Sequence, residues 1–243
     1  MKRILLIFSL VICGNLLFAQ EVDSVVVTDT PPKTLNRDQL NRRAADHVML
    51  QYGYHGWSGA PDSLRNGGYT TSFNLAFLYD FRFKSSPKYS VAVGVGMGWD
   101  NMYFKTTTID LRKYPLGFAN ETNYKYKRYK LATSYLEVPL ELRWAARPEN
   151  YNKTFKVALG VKVGTLINAY TKARVTSDPE GYGGYTTRLR DKRNFNSTRL
   201  AGTLRVGYGP FSLFGTFHLN EFFREGAGPD VRPYTIGIAV SGL

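Results

Sequence analysis

The chain has 243 residues, a formal net charge of +13, 43% hydrophobic residues and one cysteine. The hydrophobic fraction is too high for a disordered chain, and one large all-β domain can fill this length. The single cysteine excludes a disulfide scaffold, and three histidines leave little material for a metal cluster, so we expect no metal and no cofactor. The positive charge and the 17 Tyr, 15 Phe and 3 Trp also invite a nucleic-acid interpretation.

Residues 1–19 predict a cleaved secretory signal. A cationic start, Met1–Arg3, precedes the mostly apolar stretch Ile4–Phe18, which is too short for a permanent membrane helix, and Ala19 stands before the cut. A lipoprotein anchor at Cys13 is the alternative, but Ile12 occupies the place where that processing needs a small residue. Export leaves a mature chain of charge +11, because two cations leave with the signal, and it argues against nucleic acid as a partner.

Residues 20–45 predict a periplasmic tail with a short helix over about 36–45, and residues 46–243 predict one β-barrel domain. In that domain large apolar residues alternate with small or polar ones, which is the period of a β-strand. Eight such runs follow one another, and they cover 47–55, 69–83, 89–100, 135–144, 155–164, 199–208, 211–220 and 234–241.

The two faces of these runs favour a transmembrane barrel. One face is large, aliphatic and aromatic, and the other is rich in Gly, Ala and Ser. Small residues suit the narrow interior of eight strands, which places the large face outside against lipid, with aromatic residues at the strand ends. We therefore predict an all-β fold, an eight-stranded antiparallel up-and-down transmembrane β-barrel. The alternative is a soluble sandwich with mixed faces.

The connections alternate between long and short. Long segments at 56–68, 101–130, 171–198 and 221–233 are separated by short ones at 84–88, 147–153 and 209–210. This alternation is typical of long extracellular loops and short periplasmic turns, so it predicts an outer-membrane location with both termini in the periplasm.

Charged residues on the small face predict ion pairs inside the barrel, because an unpaired buried charge is costly. We expect a lumenal network that closes the barrel to diffusion, so that it is no open pore. Its predicted members are Asp80, Arg82, Glu137, Glu141, Arg143, Lys156, Lys162, Arg199 and Arg205.

Basic residues concentrate in two predicted outer loops. The stretches 100–130 and 171–199 each hold seven Lys or Arg against three Asp or Glu, a net charge of +4. We expect them to meet lipopolysaccharide phosphates, and neutralising Lys125, Lys127 and Arg128 should loosen that association. The alternative is that these loops are merely solvated. The predicted outer-loop basic patch consists of Arg112, Lys113, Lys125, Lys127, Arg128, Arg188, Arg190, Lys192 and Arg193.

No catalytic residue is predicted. A lipid-deacylating site needs His and Ser close together near the outer leaflet, but His218 has no serine two residues on, and Ser212 lies six residues away. Six residues of strand separate the two side chains by about 20 Å. A lipid-modifying enzyme is therefore the weakest of the functional alternatives.

The segment 134–144, Ser-Tyr-Leu-Glu-Val-Pro-Leu-Glu-Leu-Arg-Trp, resembles the "YLEIPL" strand of PorT-like outer-membrane β-barrel proteins of Bacteroidetes. The resemblance implies an outer-membrane barrel in which this Glu faces the lumen and Pro139 interrupts strand pairing. The chain departs from many barrels by ending in Val-Ser-Gly-Leu rather than in an aromatic residue. We expect a structural or surface-interaction role, with lipopolysaccharide and other envelope proteins as partners. The resemblance adds an accessory role in type IX secretion and gliding as the alternative.

Overall fold

A computed structural model describes residues 48–61, 64, 69–104, 107–120, 125–148, 150, 153–177 and 180–242. The predicted signal, the predicted tail and Cys13 lie outside these residues. In the part of the chain that is described, no helix has the length and apolar character needed to cross a membrane.

Eight antiparallel strands form a closed ring. The chain contains β1 (Val48–Ser58), β2 (Thr71–Arg82), β3 (Tyr89–Phe104), β4 (Thr107–Asp110), β5 (Gly117–Asn120), β6 (Lys125–Ala145), β7 (Phe155–Ser177), β8 (Thr186–Arg190), β9 (Thr198–Tyr208), β10 (Phe211–His218) and β11 (Arg232–Ser241). Around the ring the order is β6-β3-β2-β1-β11-β10-β9-β7, and β7 pairs again with β6. β8 extends the sheet from the edge of β7, and β4 pairs with β5 in a separate two-stranded sheet.

The alternation along each strand sorts side chains to the two faces of the ring. Ala92 and Ala201 point inward and are fully buried, whereas Leu213, Ile236 and Leu159 point outward and are 62–68% exposed. An apolar surface of this extent is unstable in water, so it requires a nonaqueous surrounding. The ring of eight antiparallel strands with this outer face confirms the predicted barrel fold.

Two strands are far longer than their alternation predicted. β6 starts at Lys125 and β7 ends at Ser177, so both cross much of the predicted loops 101–130 and 171–198, which also contain β4, β5 and β8. Those loop boundaries were therefore wrong. The end of β7 was misplaced because the strand has a register irregularity opposite Ser134–Tyr135. There Ile167 is an extra residue between the pairs Leu166–Tyr135 and Asn168–Ser134.

This bulge exchanges the faces of β7. Before the bulge in the sequence, the odd residues of β7 face outward, as Val163 does. After it, the even residues face outward, as Lys172 does, and the odd residues Ala169 and Ala173 are buried. An extra residue shifts a period-two pattern by one position. The alternation of the first part of β7 therefore ends in the sequence near Ile167, although the strand continues to Ser177.

Pro139 lies at a position of β6 where strand pairing is interrupted on one side. It pairs in register with Lys162 of β7, but the β3–β6 ladder has no bridge between the pairs Val93–Leu140 and Gly96–Glu137. Proline lacks the backbone N–H with which another residue would donate to one neighbouring strand. The local interruption of pairing that the resemblance implied at Pro139 is present on the β3 side.

Candidate functional site: lumen, apolar cap and outer wall

Ion pairs fill the lumen at the end of the barrel that carries the short turns. Asp80 lies 3.6 Å from Arg143 Nη1 and 3.7 Å from Arg82 Nε. Glu141 Oε2 accepts hydrogen bonds from Arg143 and from Arg205 Nη2, each at 2.9 Å. Four strands, β2, β6, β9 and β11, meet in this group, because Arg205 also bonds Ser241 Oγ at 3.2 Å.

The middle of the lumen is organised around Glu137. Its carboxylate lies 2.8 Å from Arg199 Nη1 and 3.6 Å from Lys162 Nζ, and Lys162 donates to Gln51 Oε1 at 2.9 Å. Arg199 also donates to Asp100 Oδ2 at 3.0 Å. All five side chains are nearly inaccessible to solvent.

Toward the other end the network closes on a histidine. Nδ1 of His55 lies 3.0 Å from Thr235 Oγ1 and 3.8 Å from Asp100 Oδ1. His218 is buried on the inward face of β10, as is Ser212 near the opposite end of that strand. The structure therefore keeps both members of the rejected His–Ser pair inside the barrel.

All nine predicted lumenal residues face inward, and eight take part in the ion pairs above. Lys156, the ninth, is buried beside Arg143 and Arg205 around a cavity of about 10 Å³, close to the space of one water molecule. Sequence reasoning missed Asp100, which continues the inward alternation of β3, and did not place Gln51 or His55 in the network.

Glycines make room for the two inward glutamates. A Cβ on Gly98 would lie 2.7 Å from Asn74 Oδ1 and 3.1 Å from Glu137 Oε1, and one on Gly160 would lie 3.0 Å from Glu141 Cγ. The glycines of the inward face thus leave the space that the charged side chains occupy.

An apolar cap covers the lumen at the end with the long connections. Trp57 and Phe104 from the strand ends pack with Phe195, Phe222 and Phe223 from the connections, at ring-centroid distances of 4.9–5.7 Å. Fully or nearly fully buried partners extend this cluster, and they include Leu111, Leu116, Leu131, Tyr135 and Val231.

Hydrogen bonds tie the connections of the cap together. Asn194 Nδ2 donates to the carbonyls of Leu111 and Lys113 at 3.0 and 2.8 Å, and Leu116 N donates to Ala227 O at 2.8 Å. Arg199 joins the cap to the lumenal network, because its guanidinium lies 4.8 Å from the ring centroid of Tyr135. Connections that read as basic loops in the sequence therefore have a packed core of their own.

The predicted basic patch divides between strands and turns. Lys125, Lys127 and Arg128 lie on β6, Arg188 and Arg190 on β8, Arg112 and Lys113 in the turn between β4 and β5, and Lys192 and Arg193 after β8. The side chain of Lys125 lies outside the described residues. Some of these residues come together in two separate places, and the nine do not form one patch.

The first place is the outer wall of the barrel, where we define a wall cluster of Arg128, Lys130, Lys172, Arg174 and Arg188. Lys172 is the direct cross-strand partner of both Lys130 and Arg188, and Arg128 is the direct partner of Arg174. Lys130, Lys172 and Arg174 had been counted among the loop charges but not placed in the patch. The outward direction of Lys172 and Arg174 depends on the bulge in β7.

Aromatic and amide groups hold three of these cations in position. Arg188 lies 3.9 Å from the ring centroid of Tyr170, and Lys130 lies 5.8 Å from the same ring and donates to Asn101 Oδ1 at 2.7 Å. Arg128 lies 5.8 Å from the ring of Tyr103. Tyr103, Lys127, Thr186 and four members of the cluster surround a cavity of about 270 Å³.

The second place is the tip of the long connections, where Arg112, Arg193 and Arg224 surround a cavity of about 480 Å³. Arg193 is itself paired, since its Nη2 donates to Asp191 Oδ2 at 2.8 Å. The side-chain hydrogen bonds from Arg193 are the largest cause that lowers the pKa of Asp191. One of the three cations at the tip is therefore already neutralised by a neighbour.

Comparison with known proteins agrees with the barrel. The family model for the outer membrane protein beta-barrel domain matches residues 39–223, and no curated protein matches the chain. The similar solved structures include two of Ail, the attachment invasion locus protein of Yersinia pestis, one of them in complex with the heparin analogue sucrose octasulfate. Each is 12% identical over 82% of this chain and 97% of Ail, with TM-scores of 0.39 and 0.38.

Proposed function

The chain belongs to the outer membrane protein β-barrel family, and from that premise we propose that it is a sealed barrel with a structural or surface-interaction role. In this proposal the long connections face the cell exterior, and the short turns and both termini face the periplasm. The outer end presents basic side chains to lipopolysaccharide or to other envelope proteins. The lumen carries no diffusing solute.

The buried ion pairs of the lumen carry this proposal. Glu137 binds Lys162 of β7 and Arg199 of β9, and Glu141 binds Arg205 of β9 and Arg143 of its own strand. The cap lies over both groups. Moving a solute through would require several buried charges to separate, each at a cost of several kcal/mol. A lumen built in this way supports a role at the surface better than one in transport.

Planar-bilayer recording tests the seal. The wild-type barrel should give no stable, large conductance steps. A variant that removes both glutamates and the two arginines that reach them from β9, E137S/E141S/R199S/R205S, should give conductance if it folds, which its heat-modifiable migration in SDS gels reports. Stable large steps in the wild type would overturn the sealed barrel.

Cysteine labelling on intact cells tests the orientation. A membrane-impermeant maleimide should label a Tyr182→Cys variant, because Tyr182 is 68% exposed on the segment between β7 and β8. It should not label a Ser85→Cys variant, which places the thiol in the short turn between β2 and β3. The reverse pattern would invert the proposed orientation.

The accessory role in type IX secretion, which the PorT-like resemblance implies, stays a prediction. Deletion of the gene with measurement of secreted cargo tests it, and intact secretion would remove it. The absence of a catalytic role is likewise a prediction, and an altered lipid A mass spectrum on overexpression would contradict it.

A further inference from the structure

The wall cluster places like charges directly opposite one another. Lys130, Lys172 and Arg188 form one row across β6, β7 and β8, and Arg128 with Arg174 forms the next row. Directly opposed side chains on neighbouring strands are about 5 Å apart at Cβ, and like charges there destabilise a sheet. An isolated barrel gains nothing from two such rows.

No carboxylate among the described residues forms an ion pair with these five cations. The described ion pairs of the barrel end at Asp80, Asp100, Glu137 and Glu141, which all face the lumen, and at Asp191 beyond β8. The charges that act on Lys130 are instead those of Lys172, Arg128 and Arg188, which repel it. The missing counter-charge must therefore come from outside this part of the chain.

The position of the cluster along the barrel indicates which anion meets it. Ile167 is the last large apolar residue that faces outward on β7, with 46% of its surface exposed, and Lys172 follows it by five residues. Five residues of strand are roughly 17 Å, which a strand tilt of about 40° reduces to a height of roughly 13 Å above Ile167. In the proposed orientation, this height corresponds to the headgroup layer of the outer leaflet rather than to open solvent.

We infer that the wall cluster is a binding site for the phosphates of an anionic glycolipid headgroup in the outer leaflet. This inference rests on the proposed orientation, and it assigns the interaction to the outer wall rather than to the loop tips. The cavity of about 270 Å³ admits a phosphate group with part of its sugar. Arg128 and Arg174 supply planar forks for phosphate oxygens, and Lys130 and Lys172 supply point charges.

Pre-positioned cations distinguish this site from a merely solvated charged face. Tyr170 lies under Arg188 and near Lys130, and Asn101 accepts a hydrogen bond from Lys130. These contacts fix side chains that would otherwise lose rotamer freedom on binding, which favours affinity. The site also needs the bulge at Ile167, because without it Lys172 and Arg174 would point into the barrel.

Binding of bisphosphorylated lipid A to the full-length barrel in detergent, measured by native mass spectrometry, tests the site. The wall variant K130Q/K172Q/R174Q should bind it about tenfold or more weakly, because several charge-assisted hydrogen bonds are lost. The tip variant R112Q/K113Q/K192Q loses the same charge and should change binding less than about twofold. Equal losses in the two variants, or none in the wall variant, would overturn the site.

Two further arms make the result specific. Monophosphorylated lipid A should bind more weakly than the bisphosphorylated form, and inorganic phosphate at equal concentration should fail to displace the lipid; displacement would overturn the headgroup assignment. If the wall variant does not fold, the single exposed change Arg174→Glu should still weaken binding. If the wall variant binds lipid A as the wild type does while the maleimide still labels position 182 on intact cells, this inference alone is overturned. Inverted labelling would overturn the proposed orientation as well.

Discussion

At the scale of single residues, the inward charges were accessible to sequence reasoning because each one occupies a definite position of an alternating run. A strand sends successive side chains to opposite faces, so Glu137, Glu141 and Arg143 had to share a face with the small residues around them. Their partners were less accessible. Which cation meets Glu137 depends on β7 and β9, whose residues lie far along the chain.

Neutralising Glu137 should destabilise the barrel. The Glu137→Gln variant leaves Arg199 with Asp100 alone and leaves Lys162 with Gln51 alone, and breaking such a buried group costs about 3–5 kcal/mol. Urea unfolding followed by tryptophan fluorescence measures the loss. The exposed pair offers a control, since Asp191→Asn should change the free energy of unfolding little.

The pair at the tip predicts a pH dependence that is confined to its own segment. Arg193 lowers the pKa of Asp191 below its ordinary value of 3.8, so the contact is complete at neutral pH and is lost as the pH falls through the lowered pKa. In an Arg193→Gln variant the pKa of Asp191 should return toward 3.8. Carboxyl carbon NMR of labelled barrel measures both, and an unchanged pKa in the variant would contradict the assignment.

At the scale of elements, the eight barrel strands followed from alternation, but their lengths did not. The end of β7 was misjudged because a bulge at Ile167 moves its outward residues from odd to even positions. Sequence cannot show that two out-of-phase segments are one strand, since only the partner β6 shows that pairing continues. The same bulge decides that Lys172 faces outward.

Cysteine accessibility checks the phase of upper β7. In the folded barrel a Lys172→Cys variant should react quickly with a water-soluble maleimide, whereas Ala173→Cys should react slowly, because Ala173 is 6% exposed within the cap. Deletion of Ile167 from each variant should reverse the order, since it shifts every later residue of the strand by one position. Equal reactivity at the two positions in the undeleted barrel would contradict the bulge.

At the scale of the whole molecule, the barrel is the reverse of a soluble protein. Its polar network is inside, and its large aliphatic side chains are outside, where Ile236 and Ile238 of β11 are 62% and 57% exposed. Lipid satisfies that outer surface, and ring closure between β1 and β11 leaves the spanning sheet without an edge.

A charge placed on the outer surface should therefore be costly only within the apolar belt. Ile238→Arg should lower the free energy of unfolding by about 2–4 kcal/mol in lipid vesicles, as for cations near a bilayer midplane. Tyr182→Arg, on an exposed connection, should have little effect. Guanidinium unfolding in vesicles makes the comparison, and equal effects of the two substitutions would contradict a lipid-facing belt.

The sequence by itself determined the eight amphipathic strands, the small polar interior with its nine charged members, and the alternation of long and short connections. These features are local, because the strand period and the turn residues are properties of neighbouring positions. Tertiary structure decided the rest: the pairing of Glu137 with Arg199 and Lys162, the packing of Phe195 and Phe222 into a cap, and the alignment of cations in the wall cluster. Each of these joins residues from different strands or connections, and the register that aligns them exists only once the ring has closed.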